Sequence, residues 1–171
     1  GMALPGSTPI AAMSARMMDI VREAGARIVQ MVWDDLKPRD ILTRGAFANA
    51  VRTVLAVGGS INCIKHLQAV ATEAHCDADV YAMFEQLGDD VPVLAGVRPV
   101  GERTIEEFEA AGGCLAVMKQ LAPLLDTGVT TVTGRPLADT LAGATVADEE
   151  VIRPLSRPMA RRPAIVLLRG S

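Results

Sequence analysis

The sequence predicts an α/β layered domain, with helices in excess around a small, largely parallel sheet. Most of the 171 residues lie in segments whose apolar residues recur every three or four positions, which is typical of amphipathic helices. One segment, VPVLAGV at 91–97, is short, rich in valine and apolar on both alternations, as a buried parallel strand would be. The length fits one domain with a substantial core.

The first half of the chain predicts four helices, each with a start or stop signal. The first covers 13–36 and is broken at Pro38. Thr43 is expected to cap the second, which ends near residue 57, and Ser60 to cap the third. Asp77 or Asp79 is expected to begin the fourth, at 77–88. The four segments form the helical layer of the predicted domain.

The second half predicts shorter elements. Thr104 and Glu107 form a capping-box pattern that opens one helix, and Gly112-Gly113 separates it from the next. GVTTVTG at 128–134 predicts a second strand and turn, and Pro136 the first position of another short helix. A third strand is possible at AIVLLRG, 164–170.

The chain is unusually apolar for its length. Half of its residues are hydrophobic and the mean hydropathy is +0.27, yet no apolar run approaches the roughly 20 residues that cross a bilayer. We therefore expect no membrane span. We expect instead a surface that a partner subunit or more of the same polypeptide covers, with a homo-oligomer as the predicted assembly.

The charge distribution argues against a nucleic-acid partner. The net charge is −3 and the pI is near 5.4, whereas a nucleic-acid-binding domain needs a basic face. The segment from Val151 onward is nevertheless basic, with no acidic residue; its arginines are Arg153, Arg157, Arg161, Arg162 and Arg169. Its three prolines favour a linker over a phosphate-binding or acid-binding tail. The predicted division is therefore a domain at 1–150 and a linker at 151–171.

The cysteines and histidines predict neither a disulfide framework nor a metal centre. Cys63, Cys76 and Cys114 are odd in number and form no CxxC pair, which fits a reducing cytoplasm. No secretory leader is recognisable in GMALPGSTPIAAM. His66 and His75 are too far out of phase for one helical face to bind a metal. We expect no cofactor held by this chain alone.

The stretch Gly58-Gly59-Ser60-Ile61-Asn62 is the candidate site. Two glycines and a fresh helix start can present backbone N–H groups to a carboxylate or phosphate. The same residues can equally be a well-capped joint between two helices. The lysine of a phosphate-binding loop and the second glycine of a serine-nucleophile elbow are both absent from this stretch.

Several co-linear blocks together resemble the dihydroxy-acid dehydratase and phosphogluconate dehydratase family, which includes sugar-acid dehydratases. The blocks include GMALPGSTPIAA, LKPRDILTRGAFANAV, AVGGSINCIKHLQAVA, VPVLAGVRPVGERTIEEFEAAGG and TVTGRPLADTLAG. The resemblance covers nearly the whole chain. The IxCxKHL variant after the glycines is somewhat closer to the sugar-acid branch.

The resemblance implies a hydro-lyase that dehydrates a 2,3-dihydroxy acid to a 2-keto acid. It also implies an iron–sulfur cluster acting as Lewis acid, a magnesium ion that holds the carboxylate, and a serine as base. In such enzymes the cluster cysteines and magnesium ligands lie upstream of the ALPGS block, and the serine lies in a following β-barrel domain. None of those motifs matches a residue here, so we expect a part of the N-terminal domain that is inactive alone.

The resemblance places Gly58, Gly59, Ser60 and Asn62 near the substrate or cluster of the complete enzyme. Ile61 stands where the family usually has threonine. The alternative hypothesis is a stand-alone, non-catalytic binding or assembly module that uses the 58–62 loop for a small anion.

Overall fold

The computed structural model describes residues 1–168, and this part of the chain is mainly helical. It contains a 3₁₀ turn at Ala122–Leu124 and eight α-helices. The helices are α1 (Ala15–Trp33), α2 (Pro38–Ile41), α3 (Arg44–Ala56), α4 (Asn62–Glu73), α5 (Val80–Gly88), α6 (Ile105–Ala110), α7 (Gly113–Gln120) and α8 (Leu137–Ala142).

Helix α3 lies at the centre of the core, where it packs against α4, α5 and α7. Its residues Phe47, Val51 and Leu55 are fully buried. They belong to one continuous apolar cluster that extends from α3 to Ile165. Burial of each such side chain contributes about 1.5–3 kcal/mol to the free energy of folding. Helix α3 is therefore a main contributor to the stability of the domain.

The predicted helix caps are confirmed where the signal is local. Thr43 accepts a hydrogen bond from the amide of Ala46, and Asp79 accepts one from Ala82. The Thr104–Glu107 capping box is formed in both directions, with distances of 2.7 and 3.2 Å. Side-chain acceptors satisfy amides that the first helical turn cannot pair itself.

Helix α1 is shorter than predicted at both ends. It begins after Ser14, whose hydroxyl accepts a hydrogen bond from the amide of Met17, and it ends at Trp33. Met13 and Asp35 have φ angles of 61° and 52°, in the left-handed region that interrupts a right-handed helix. Helix α8 likewise begins one residue later than predicted, because Pro136 has an extended ψ of 150°.

Helix α1 is the longest helix but packs loosely. Met31 is its buried residue. Polar contacts tie it to the body: Arg27 Nε donates to the carbonyl of Val132 at 2.6 Å, and Arg16 pairs with Glu109 at 3.2 Å. Helix α1 has no extensive contact with any other helix of the described residues. One side of a long amphipathic helix therefore remains open.

Extended segments pair only at isolated bridges within residues 1–168. Val93 pairs antiparallel with Ala160, Val97 pairs parallel with Arg103, and Thr130 pairs with Pro136. The segments at 91–97 and 128–134 thus each contain bridge residues. The third possible strand, 164–170, extends beyond the described residues. A small, largely parallel sheet stays a prediction.

The first part of the basic segment lies against the body. Val151 and Ile152 are in the apolar core. The amide of Arg153 donates to the carbonyl of Leu94, and the amide of Val93 donates to the carbonyl of Ala160 at 2.8 Å. The division at residue 150 stays a prediction, and Arg169 lies outside the described residues. Among residues 1–168, no helix has both the length and the apolar character required to traverse a bilayer.

Candidate functional site

The double glycine ends α3. Gly58 has a φ of +58°, and the amide of Gly59 donates to the carbonyl of Val54 at 2.9 Å. A left-handed residue followed by such a hydrogen bond is a common helix C-terminal motif, and glycine adopts it without steric cost. The turn redirects the chain from α3 into α4.

Gly58 is also required by packing. A Cβ atom added here would lie 2.8 Å from a Val100 methyl group and 3.3 Å from the Ala164 methyl group. Three separate parts of the chain therefore meet at this turn, which explains a glycine at this position without any ligand.

The N-cap residue of α4 is Ile61, which provides no side-chain cap, and Ser60, the predicted cap, lies one residue before it. The Ser60 hydroxyl accepts a hydrogen bond from the amide of Asn62 at 3.2 Å, and its carbonyl accepts one from Cys63 at 3.0 Å. The hydroxyl contact two residues along is a serine turn, which satisfies part of the helix start. Among the described residues, the amides of Ser60 and Ile61 donate no backbone hydrogen bond.

A cavity of about 530 Å³ opens beside this turn. Gly58, Gly59 and Ser60 line it together with Ile61, whereas Asn62 is exposed and outside the lining. The cavity faces the segment after the bridge at Val97 and the start of α7. A groove of about 590 Å³ between α2 and α4 contains none of the predicted residues. The structure thus brings three of the four predicted residues into one cavity.

Arg98 and Cys114 line the same cavity and were not predicted as site residues. The Nε atom of Arg98 donates to the carbonyl of Glu102 at 3.1 Å, which holds the guanidinium at the rim and gives the lining a positive charge. Burial raises the pKa of the Cys114 thiol to about 11. An arginine directly after an apolar run was the available sequence signal for Arg98.

Comparison with known proteins decides the family. The family profile described as "Dihydroxy-acid/6-phosphogluconate dehydratase N-terminal" matches residues 1–140. The chain belongs to this family. The resemblance read from the sequence blocks is therefore confirmed.

Individual members of the dehydratase family align over the entire chain. A dihydroxy-acid dehydratase of Trichlorobacter lovleyi is 41% identical over 176 residues, and one of Moorella thermoacetica is 36% identical over 173 residues. An L-arabinonate dehydratase of Rhizobium leguminosarum bv. trifolii is 39% identical over 173 residues. The chain spans 30–31% of the length of these relatives.

The described residues do not fit an iron–sulfur cluster, and they form no group of three protein ligands around a magnesium ion. Cluster iron requires several converging thiolates, whereas magnesium is commonly held by one or two carboxylates together with water. Within residues 1–168, no three histidine, cysteine or acidic side chains converge on one point. The raised pKa of Cys114 further disfavours its thiolate form. Cys63, Cys76 and Cys114 are therefore unsuited, as arranged here, to hold a cluster.

Proposed function

We propose that this chain is part of the N-terminal domain of a hydro-lyase that converts 2,3-dihydroxy acids or sugar acids to 2-keto acids. The observation that carries the proposal is the family match at 1–140, together with relatives named for dihydroxy-acid and L-arabinonate dehydration. The named relatives include both acid classes, so both remain in the proposal. The complete enzyme would act in the cytoplasm as a homo-oligomer.

In this proposal the isolated chain is inactive. Dehydration requires a group that removes the C2 proton and a Lewis acid that assists departure of the C3 hydroxyl. The described residues supply no converging donor set for such a metal. The 58–62 turn would instead form a wall near the substrate, with Gly58, Gly59 and Ser60 in the cavity and Asn62 beside it.

The test is an assay of the purified chain for 2-keto acid formation from L-arabinonate and from a 2,3-dihydroxy acid. The chain is assayed before and after anaerobic incubation with iron, sulfide and Mg²⁺, with the Rhizobium L-arabinonate dehydratase as positive control. We expect product from the control and none from the chain. Turnover by the chain would refute its inactivity, and the products of the longer enzyme that contains this sequence would test the substrate class.

The alternative function is a non-catalytic module that binds a small anion at the 58–62 loop. The cavity beside Ser60 and the guanidinium of Arg98 at its rim favour it. Thermal unfolding with phosphate, L-arabinonate and a 2,3-dihydroxy acid tests it. A rise in melting temperature that Ser60→Ala with Asn62→Ala removes, but Thr72→Ala on the exposed part of α4 retains, would support binding. No rise with any of these anions would reject it.

A further inference from the structure

The cavity beside the glycine turn has an apolar wall. Three large side chains of this wall are open to solvent: Ile61 is 68% exposed, Val100 45% and Ile105 42%. Val57 and the buried Phe108 line the same cavity. Ligand cavities in proteins are typically lined in this way, with a small number of polar groups that orient the ligand. The wall is therefore suited to contact a hydrocarbon chain.

Hydroxyl groups are scarce in this lining. Among the described residues, Thr8 and Ser60 supply them, and the Ser60 hydroxyl already accepts a hydrogen bond from the amide of Asn62. A ligand hydroxyl that lies against Ile61 or Val100 would lose water without gaining a protein partner, which is unfavourable. The cavity therefore favours an aliphatic chain over a polyhydroxylated one.

Arg98 adds a positive charge that has no acidic partner. Its Nε atom donates to the carbonyl of Glu102, and within residues 1–168 its side chain has no other hydrogen bond and no ion pair. The nearby Arg103, by contrast, pairs with Glu107 at 3.1 Å. The two terminal nitrogens of Arg98 are thus available to a carboxylate, which a guanidinium can bind through two parallel hydrogen bonds.

The absence of acidic residues distinguishes this cavity from two others of similar size. Among the described residues, no aspartate or glutamate lines it. The groove of about 590 Å³ between α2 and α4 contains Glu73 as well as Lys37 and Arg39. A cavity of about 450 Å³ beside α1 contains Glu23 as well as Arg27. A carboxylate would be repelled by the acidic residue in either of these, but not beside Arg98.

We infer that this cavity binds a small carboxylic acid with an aliphatic chain. The carboxylate contacts the guanidinium of Arg98, the chain lies against the apolar wall, and Ile61 sets the preference for hydrocarbon over hydroxyl groups. The inference rests on the cavity of the alternative function and names the ligand that this function leaves open. It does not depend on the dehydratase proposal.

Titration of the ¹⁵N-labelled 171-residue chain with 3-methylbutanoate and with L-arabinonate tests the inference. The two acids have the same charge and the same number of carbons but differ in their hydroxyl groups. We expect 3-methylbutanoate to shift the amide signals of Gly59, Ser60 and Ile61, with a dissociation constant at least about tenfold below that of L-arabinonate. Equal or tighter binding of L-arabinonate, or shifts confined to other parts of the chain, would overturn the inference.

Two pairs of variants test the charge and the wall separately. Arg98→Gln should raise the dissociation constant of 3-methylbutanoate at least about tenfold, because a charge-assisted contact is lost. Arg22→Gln, at an exposed arginine of α1, should leave it unchanged.

Ile61→Thr should reduce the preference for 3-methylbutanoate over L-arabinonate at least about threefold, because a hydroxyl replaces part of the hydrocarbon wall. Val70→Thr, at an exposed position of the same helix, should retain the preference. The amide spectrum of each variant verifies its fold. Unchanged binding in Arg98→Gln or an unchanged preference in Ile61→Thr would overturn the inference.

Inorganic phosphate separates this inference from the alternative function. Phosphate binding at the turn without binding of 3-methylbutanoate would support an anion site at the 58–62 loop and overturn the inference. Binding of 3-methylbutanoate that Arg98→Gln weakens, and that Ser60→Ala with Asn62→Ala retains, would support the inference and reject the loop as the anion site.

Discussion

At the residue scale, Asn49 joins α3 to a distant loop. Its side chain is 3% exposed, its Nδ2 donates to the carbonyl of Asp126 at 2.8 Å, and its Oδ1 accepts from the amide of Asp126 at 2.9 Å. A buried amide needs such partners, and here one residue supplies both. The pair fixes the loop before the bridge at Thr130.

Replacement of Asn49 by alanine is expected to lower the free energy of unfolding by about 1–3 kcal/mol, because two hydrogen bonds are lost and the loop backbone is left unpaired. Urea denaturation followed by circular dichroism measures the effect. The control is Asn62→Ala at an exposed position, where we expect little change. Equal stability of the two variants would contradict the role of Asn49.

Cys114 is expected to be a slow nucleophile. With its pKa raised from 9.0 to about 11 by burial, its thiolate fraction at pH 8 is about a hundredfold below that of an ordinary thiol. Iodoacetamide labelling, located by peptide mass spectrometry, should be correspondingly slower at Cys114 in the folded chain than in the same chain in urea.

The pH dependence of labelling provides a second check on Cys114. Its rate in the folded protein should keep rising through pH 9–10, because the thiol is still mostly protonated there. The free energy of unfolding should fall as pH rises from about 9 to 11, since the unfolded thiol loses its proton first. A labelling rate that levels off near pH 9 would show an unperturbed thiol.

At the element scale, the junction between α6 and α7 depends on a left-handed glycine. Gly112 has a φ of +113°, and an added Cβ would lie 2.6 Å from both the Ala116 methyl group and the carbonyl oxygen of Thr145. The junction therefore excludes a side chain on conformational and on packing grounds.

Alanine at position 112 is expected to lower the free energy of unfolding by at least about 2 kcal/mol, through left-handed strain and a backbone clash. Gly143→Ala is the matched control, since Gly143 follows α8 with an ordinary φ of −84° and open space around it. Thermal and urea unfolding of both variants provide the comparison. A stable Gly112→Ala with a destabilised Gly143→Ala would refute this account.

The sequence predicted elements best where the signal was local. Thr43, Asp79 and the Thr104–Glu107 box act within one helical turn, so their pattern was sufficient. The ends of α1 depend on positive φ angles at Met13 and Asp35, and the sequence around these residues does not predict that conformation. A sheet prediction depends on partners far along the chain, and the described residues have isolated bridges.

The candidate site likewise contains residues that a local motif predicts and residues that only tertiary packing brings into the cavity. Gly58, Gly59 and Ser60 are consecutive, so one motif found them together. Arg98 and Cys114 enter the cavity through tertiary packing, and nothing near either residue in the sequence points to residue 58. Asn62 was predicted with the motif, but the turn of α4 places it outside the cavity lining.

At the scale of the whole molecule, the carboxyl-terminal segment completes the core. Ile152 is fully buried, and Val93 and Leu94 form backbone hydrogen bonds with the segment around it. The basic character of residues 151–168 therefore coexists with an apolar anchor.

Replacement of Ile152 by alanine is expected to destabilise the entire domain by about 2–4 kcal/mol, in one cooperative transition, because it opens a cavity in the shared core. Val166→Ala removes a side chain that is 65% exposed and should change stability by less than about 0.5 kcal/mol. Circular dichroism is the appropriate probe, because Trp33 lies far out on an exposed helix end. Similar behaviour of the two variants would mean that the segment does not support the core.

The contacts of Val93 and Leu94 with residues 153–160 also affect how the protein is made. During translation, Val93 and Leu94 emerge from the ribosome before residues 153–160, with which their backbone groups form hydrogen bonds. Ile165, a further member of the apolar core cluster, emerges later still. If the ribosome pauses before residues 153–165 have emerged, part of the apolar core stays exposed to solvent. Chaperones recognise exposed apolar surfaces of this kind.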